Sequence, residues 1–174
     1  MNENRPEKKG ESSYQVEIHV DPSENPPHFH DLDEEAIGDL VRFVLGEEGV
    51  PAAMVGVVFC GDERMAVLNE RWLGHKGPTD VITFDLRSEG HEHAVRGRGR
   101  APLEGEIYVD LAQAFRQAPS FGVSMDEELR RLVIHGVLHL VGFDDAGRPN
   151  ETVRMRNRQE ELVRSWTHPV LERR

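Results

Sequence analysis

Residues 124–145 read SMDEELRRLVIHGVLHLVGFDD, and the fold follows from how this stretch is taken. Ser124 followed three positions later by Glu127 is a capping box, in which hydroxyl and carboxylate satisfy free N–H groups at a helix start. From there a helix is predicted to run toward Val141, with Gly142 as the residue that stops it. The helix is strongly apolar around its two histidines, so it needs other elements to cover it.

Working outward, Asp110 caps a preceding helix that holds Leu111, Ala114, Phe115 and Ala118, and Asn150 caps a last helix through about Arg164. Glu106–Val109 (EIYV) and Val81–Phe84 (VITF) read as strands, separated by a Gly/His/Arg-rich loop too polar to bury and expected to be mobile. Ala53–Cys60 is β-branched and continuous, as in a central strand. Gly61-Asp62 then supplies a turn and an N-cap for a helix from Glu63 to about Leu73, with Met65, Leu68 and Trp72 toward the core. Tyr14–Val20 alternates, with Val16, Ile18 and Val20 on one side. Asp33–Leu45 carries Ile37, Leu40, Val41 and Val44 at helical spacing and ends near Gly46. The fold class is therefore α/β of the α+β type: one domain over 14–165, a small mixed sheet of about four strands packed against about five helices, and a metal site at the end of one helix. Residues 1–13 and 166–174 are expected to be flexible termini.

A chain of 174 residues without repeats or an internal linker fits one domain. The N-terminal MNENRPEKKGESS is charged and apolar-poor, unlike a signal peptide, and no apolar run reaches spanning length. The single cysteine, Cys60, makes no internal disulfide and sits in an apolar run, which fits a reducing cytoplasm. A net charge of −11 opposes a polyanionic partner at long range. Screening confines exposed charges to roughly 8–10 Å, so local basic residues still govern a groove.

His135 and His139 are four apart and project from one helix face, which suits two imidazoles meeting one cation. An isolated HxxxH is ordinarily two structural histidines. Here Gly142 lets the chain turn back, and Asp145 offers a third donor while a fourth position stays open, as in catalytic zinc sites. The spacing HxxxHxxGxxD overlaps the metzincin HExxHxxGxxH, but Gly136 stands where that pattern has its catalytic glutamate. A zinc peptidase would lack its general base.

The segment HGVLHLVGFDD at 135–145 resembles the HGxLHLxGYDH hallmark of the YbeY endoribonuclease family. LNERWLGHKGPTDVITF (Leu68–Phe84) is similar to that family's asparagine-containing helix and TDVLSF strand, and GEIYVD (Gly105–Asp110) to its GDI strand. The resemblance implies one zinc per chain on His135, His139 and Asp145. It further implies a single-strand-specific endoribonuclease of ribosomal RNA maturation and small-subunit quality control, working in the cytoplasm on RNA and not at a membrane.

Two positions depart from the family pattern. Asp145 replaces its third histidine, a competent oxygen donor that makes the metal a weaker Lewis acid. Asp144 occupies the family's own aspartate position and is read as orienting a ligand or loop. Leu73 stands where the family has an arginine linked to RNA cleavage. Arg71, His75 and Lys76 are candidate RNA-binding replacements, to be weighed against solvated surface. Thr79 and Asp80 either orient the site or make an ordinary turn. His28, His30, His91 and His93 read as loop histidines, and Arg96, Arg98 and Arg100 as a solvated basic loop. The missing arginine keeps a second reading open, a metal-stabilised ribosome-assembly factor without nuclease activity; a zinc peptidase is the third.

Overall fold

Alternation and β-branching produce strands where the sequence asks for them. The computed structural model describes residues 13–22, 29–87, 102–144 and 148–172. Ser13–Val20 (β1), Ala52–Cys60 (β2), Val81–Asp85 (β3) and Leu103–Asp110 (β4) form one sheet in the order β1-β2-β4-β3. β1, β2 and β4 are parallel and β3 is antiparallel to β4, so the sheet is mixed. β1 is an edge strand, half-buried on alternate residues, whereas β2 lies inside and buries Val55, Val57 and Phe59.

Among the described residues, five α-helices accompany the sheet: Glu34–Glu47 (α1), Asp62–Leu68 (α2), Leu111–Phe121 (α3), Met125–Leu140 (α4) and Pro149–Ser165 (α5). Side chains cap three of them: Asp33 accepts from Ala36 N at 2.9 Å, Asp110 from Gln113 N at 2.9 Å and Ser124 from Glu127 N at 3.1 Å. Strand register aligns Val16 with Val55, Ile18 with Val57 and Val57 with Ile107. That face carries the main core, shared with α1, α3, α4 and α5. A smaller cluster of Cys60, Met65, Leu68 and Ile82, flanked by Phe84 and Tyr108, joins α2 to the opposite face.

α4 lies close against β4 because glycines remove side chains at the crossing. A Cβ on Gly136 would stand 2.5 Å from Ile107 Cγ2, and one on Gly105 would meet the Leu140 side chain and lie 2.9 Å from the Phe84 carbonyl oxygen. Each glycine thus makes the hole that a branched side chain of the other element fills. The end of α4 is also tied to the β3 edge: Arg87, its side chain 6% exposed and paired with Asp85, donates to Leu140 O at 3.2 Å.

Several boundaries differ from expectation. α2 gives way to a five-residue π-helical turn, Asn69–Leu73, and Trp72 is 60% exposed instead of facing the core. Phe115 is likewise exposed. Asp62 begins α2 as its first residue and makes no cap; Gly61 is the N-cap and has no side chain to offer. α1 runs one residue past Gly46, and α5 starts at Pro149, whose fixed φ suits a first turn, ahead of Asn150. Residues 166–172, expected to fray, are docked: Val170 is buried, Trp166 packs on Phe43, and Leu171 bridges to Leu32. Asp126 Oδ1 holds this segment by accepting from Val170 N at 2.7 Å and Leu171 N at 3.1 Å. Among the described residues, no helix is long and apolar enough to cross a membrane.

Candidate metal centre

The i,i+4 spacing on α4 stacks the His135 and His139 rings with centroids 4.6 Å apart. Both residues are half-buried. Their Nε2 atoms converge to 3.0 Å. The Nδ1 atoms point the other way, His135 Nδ1 to Gln159 Oε1 at 2.8 Å and His139 Nδ1 to Phe143 O at 3.1 Å. A carbonyl oxygen only accepts, so His139 Nδ1 donates to Phe143, and Gln159 in the same way receives the Nδ1 proton of His135. In its neutral form each imidazole then carries its lone pair at Nε2, and the two Nε2 atoms face each other.

Two nitrogens about 2.1 Å from one tetrahedral ion lie about 3.4 Å apart, close to the separation found. The two histidines therefore suit a tetrahedrally coordinated metal ion. Asp145, the third expected ligand, lies outside the described residues, and among the described residues no group of three His, Cys, Asp or Glu side chains is brought together.

The turn after α4 makes the second of these carbonyl contacts. Gly142 has φ 98°, Gly142 N donates to His139 O and Phe143 N to Leu138 O, both at 3.0 Å, which is a Schellman motif. It turns the Phe143 carbonyl back toward the ring of His139. Gln159 comes from α5, where it lies buried in the apolar stripe of Met155, Leu162 and Val163. That placement was its signal in the sequence, since a buried amide needs a partner. Gly136 faces Ile107 on the sheet, so a glutamate there has neither room nor access to the histidines.

Other expected site residues fall elsewhere. Arg71, His75 and Lys76 are exposed on the π-turn and the loop after it, and Leu73 is 51% exposed. Asp80 accepts from Val81 N at 2.9 Å and from Gln117 Nε2 at 3.2 Å, and Gln117 also donates to the buried Glu128 at 2.7 Å. Glu128 is seven residues before His135, about 10 Å along the helix, so Asp80 makes turn and helix-start contacts. Thr79 bonds Asp80 at 3.4 Å. His28, His91, His93, Arg96, Arg98 and Arg100 lie outside the described residues.

A second titratable pair joins the starts of α2 and α3. Asp110 is buried, and desolvation together with the Asp62 carboxylate pushes it up to about 7, while Arg116, bonded to Asp62 at 2.8 Å, holds Asp62 below its usual value.

A family model described as Endoribonuclease YbeY matches residues 23–167. Endoribonuclease YbeY of Chlorobium phaeovibrioides is 39% identical over 133 residues, covering 76% of this chain and 82% of that protein. The protein of the same name from Thermobifida fusca is 36% identical over 142 residues, covering 80% and 90%. Among solved structures, the solution structure of TM1509 from Thermotoga maritima superposes with a TM-score of 0.53 at 24% identity over 87% of this chain and 91% of that one, a likeness of fold.

Proposed function

We propose, since this chain belongs to the YbeY endoribonuclease family, that it hydrolyses single-stranded RNA using one zinc ion held by His135, His139 and Asp145. The carrying observation is the convergence of the two Nε2 atoms at 3.0 Å with both Nδ1 atoms engaged elsewhere. Gln159 and the Phe143 carbonyl do the orienting: each takes an Nδ1 proton and so aims a lone pair into the same point. An ion bound there supplies Lewis acidity, polarising a phosphoryl oxygen and an attacking water. Gly136 contributes no base, which argues against peptide hydrolysis. The family relation supports ribosomal RNA of the small subunit as substrate and the cytoplasm as the place of work.

Purified protein, with and without chelator, is to be assayed on single-stranded RNA, duplex RNA and casein. Chelator-sensitive cleavage of single-stranded RNA alone is expected; cleavage of casein alone would revive the peptidase. Zinc bound without any cleavage would favour an assembly factor, the reading to which the uncharged Leu73 lends support. Asp145→Ala should lose most zinc affinity and Asp144→Ala less, and the reverse order in zinc titrations would shift the ligand by one residue.

A further inference from the structure

We propose that Trp72, with Arg71 over its ring and His75 and Lys76 in the exposed loop that follows, is a platform on which an unpaired base of the RNA substrate stacks; this rests on the endoribonuclease reading above. Helical spacing would keep Trp72 beneath Leu68 on the buried face. The π-turn at Asn69–Leu73 widens the helix and carries the ring out to 60% exposure. Such turns are rare and recur at functional sites.

The exposed ring is nevertheless held. Phe84 meets it edge-on at 5.8 Å and 71°, and Tyr108 meets Phe84 at 5.7 Å and 85°, a row that anchors Trp72 to β3 and β4. Asn69 Nδ2 donates to Gly77 O at 2.8 Å and His75 N to Asn69 O at 3.3 Å, which pins the following loop. A ring fixed before binding loses little conformational freedom on contact.

The local charge is the second observation. In a chain of net charge −11, Arg116, Arg131 and Arg158 are all engaged by acids. Arg71 and Lys76 make no ion pair among the described residues, and the Arg71 guanidinium lies 5.4 Å from the Trp72 ring centre. An indole with the Arg71 guanidinium over its ring and Lys76 in the loop that follows matches a ligand that carries both phosphates and flat apolar faces, which is single-stranded nucleic acid; a duplex hides its base faces. β3 connects the platform to the histidine helix: Phe84 supports the ring, and Arg87 three residues later bonds Leu140 O, next to His139.

The test titrates a short single-stranded 2′-O-methyl oligouridylate into the full-length protein. Tryptophan fluorescence should be quenched in the wild type and not in Trp72→Phe, although that variant still binds through its remaining ring. Trp166 packs on Phe43 and should add no quench. Trp72→Leu should bind about tenfold more weakly and raise KM with kcat held. Replacing Arg71 and Lys76 together by Ala should flatten the slope of log K against log salt by about 1.4. Unchanged affinity in Trp72→Leu, quenching that persists in Trp72→Phe, or equal quenching by duplex RNA would overturn the platform. A wild type that binds and is quenched at Trp72 yet cleaves no RNA would support the platform while sinking the nuclease reading.

Discussion

The two ends of α4 are built on opposite plans. At its start, Asp126 takes Arg130 and two tail amides, Glu127 takes Arg131, and the buried Glu128 takes Arg131 and Gln117. Beginning seven residues after Glu128, His135 and His139 turn their Nδ1 atoms to Gln159 and Phe143 and bring their Nε2 atoms together. Acids matched to donors within the fold stabilise it; two Nε2 atoms turned toward each other suit a cation between them. One helix thus carries a scaffold end and a chemical end, and the glycine contacts at Ile107 and Leu140 hold the chemical end against the sheet.

The sharpest way to break this contrast is at the histidines. His135→Ala or His139→Ala should abolish bound zinc and chelator-sensitive RNA cleavage and should lower thermal stability of the metal-loaded protein, because binding to the native state is folding free energy. Elemental analysis showing full zinc in either variant would place the site elsewhere. Gln159→Leu removes only the orienting acceptor of His135; zinc affinity should fall about 10- to 100-fold. Equal zinc titration curves for variant and wild type would mean the amide has no role in aiming the ring.

The scaffold end should respond in the other currency. Asp126→Ala strands the amides of Val170 and Leu171 and releases Arg130, so stability in urea should drop by about 1–3 kcal/mol and the tail should become protease-sensitive, with zinc affinity unchanged. A loss of zinc in that variant would show that the two ends are not independent. A pH-dependent effect is expected from Asp110, the N-cap of α3. Its value is raised from 3.8 to about 7 in the fold by burial and Asp62, so the folded state holds the proton more tightly than the unfolded chain. The stabilisation is complete below about pH 4 and is lost as pH rises through about 7. Asp110→Asn keeps an N-cap and should flatten this part of the profile of melting temperature against pH; an unchanged slope would show that the proton is not shared there.

Much of the α4 region was legible beforehand. Ser124 caps it as the S-x-x-E pattern indicates, Gly142 closes it, and the histidines meet as their spacing requires. Trp72 was misplaced because a π-turn breaks the period on which the expectation rests, and nothing in NERWL announces one. The docked tail was missed because THPVLERR is mostly polar and its anchor, Asp126, lies 44 residues from Val170.

The sequence by itself determined the four strands, most of the helices, the caps at Asp110 and Ser124 and the pairing of His135 with His139, since these depend on spacings within one helical turn or along one strand. Only the tertiary structure decided which atoms aim those histidines, that Gly136 is reserved for Ile107, and that Arg87 ties the helix end to β3. His135 meets Gln159 across 24 residues and Leu140 meets Arg87 across 53. No local period encodes such contacts; they exist because burying the apolar faces of the helices and the sheet brings distant segments into one place, where each buried polar group must then find its partner.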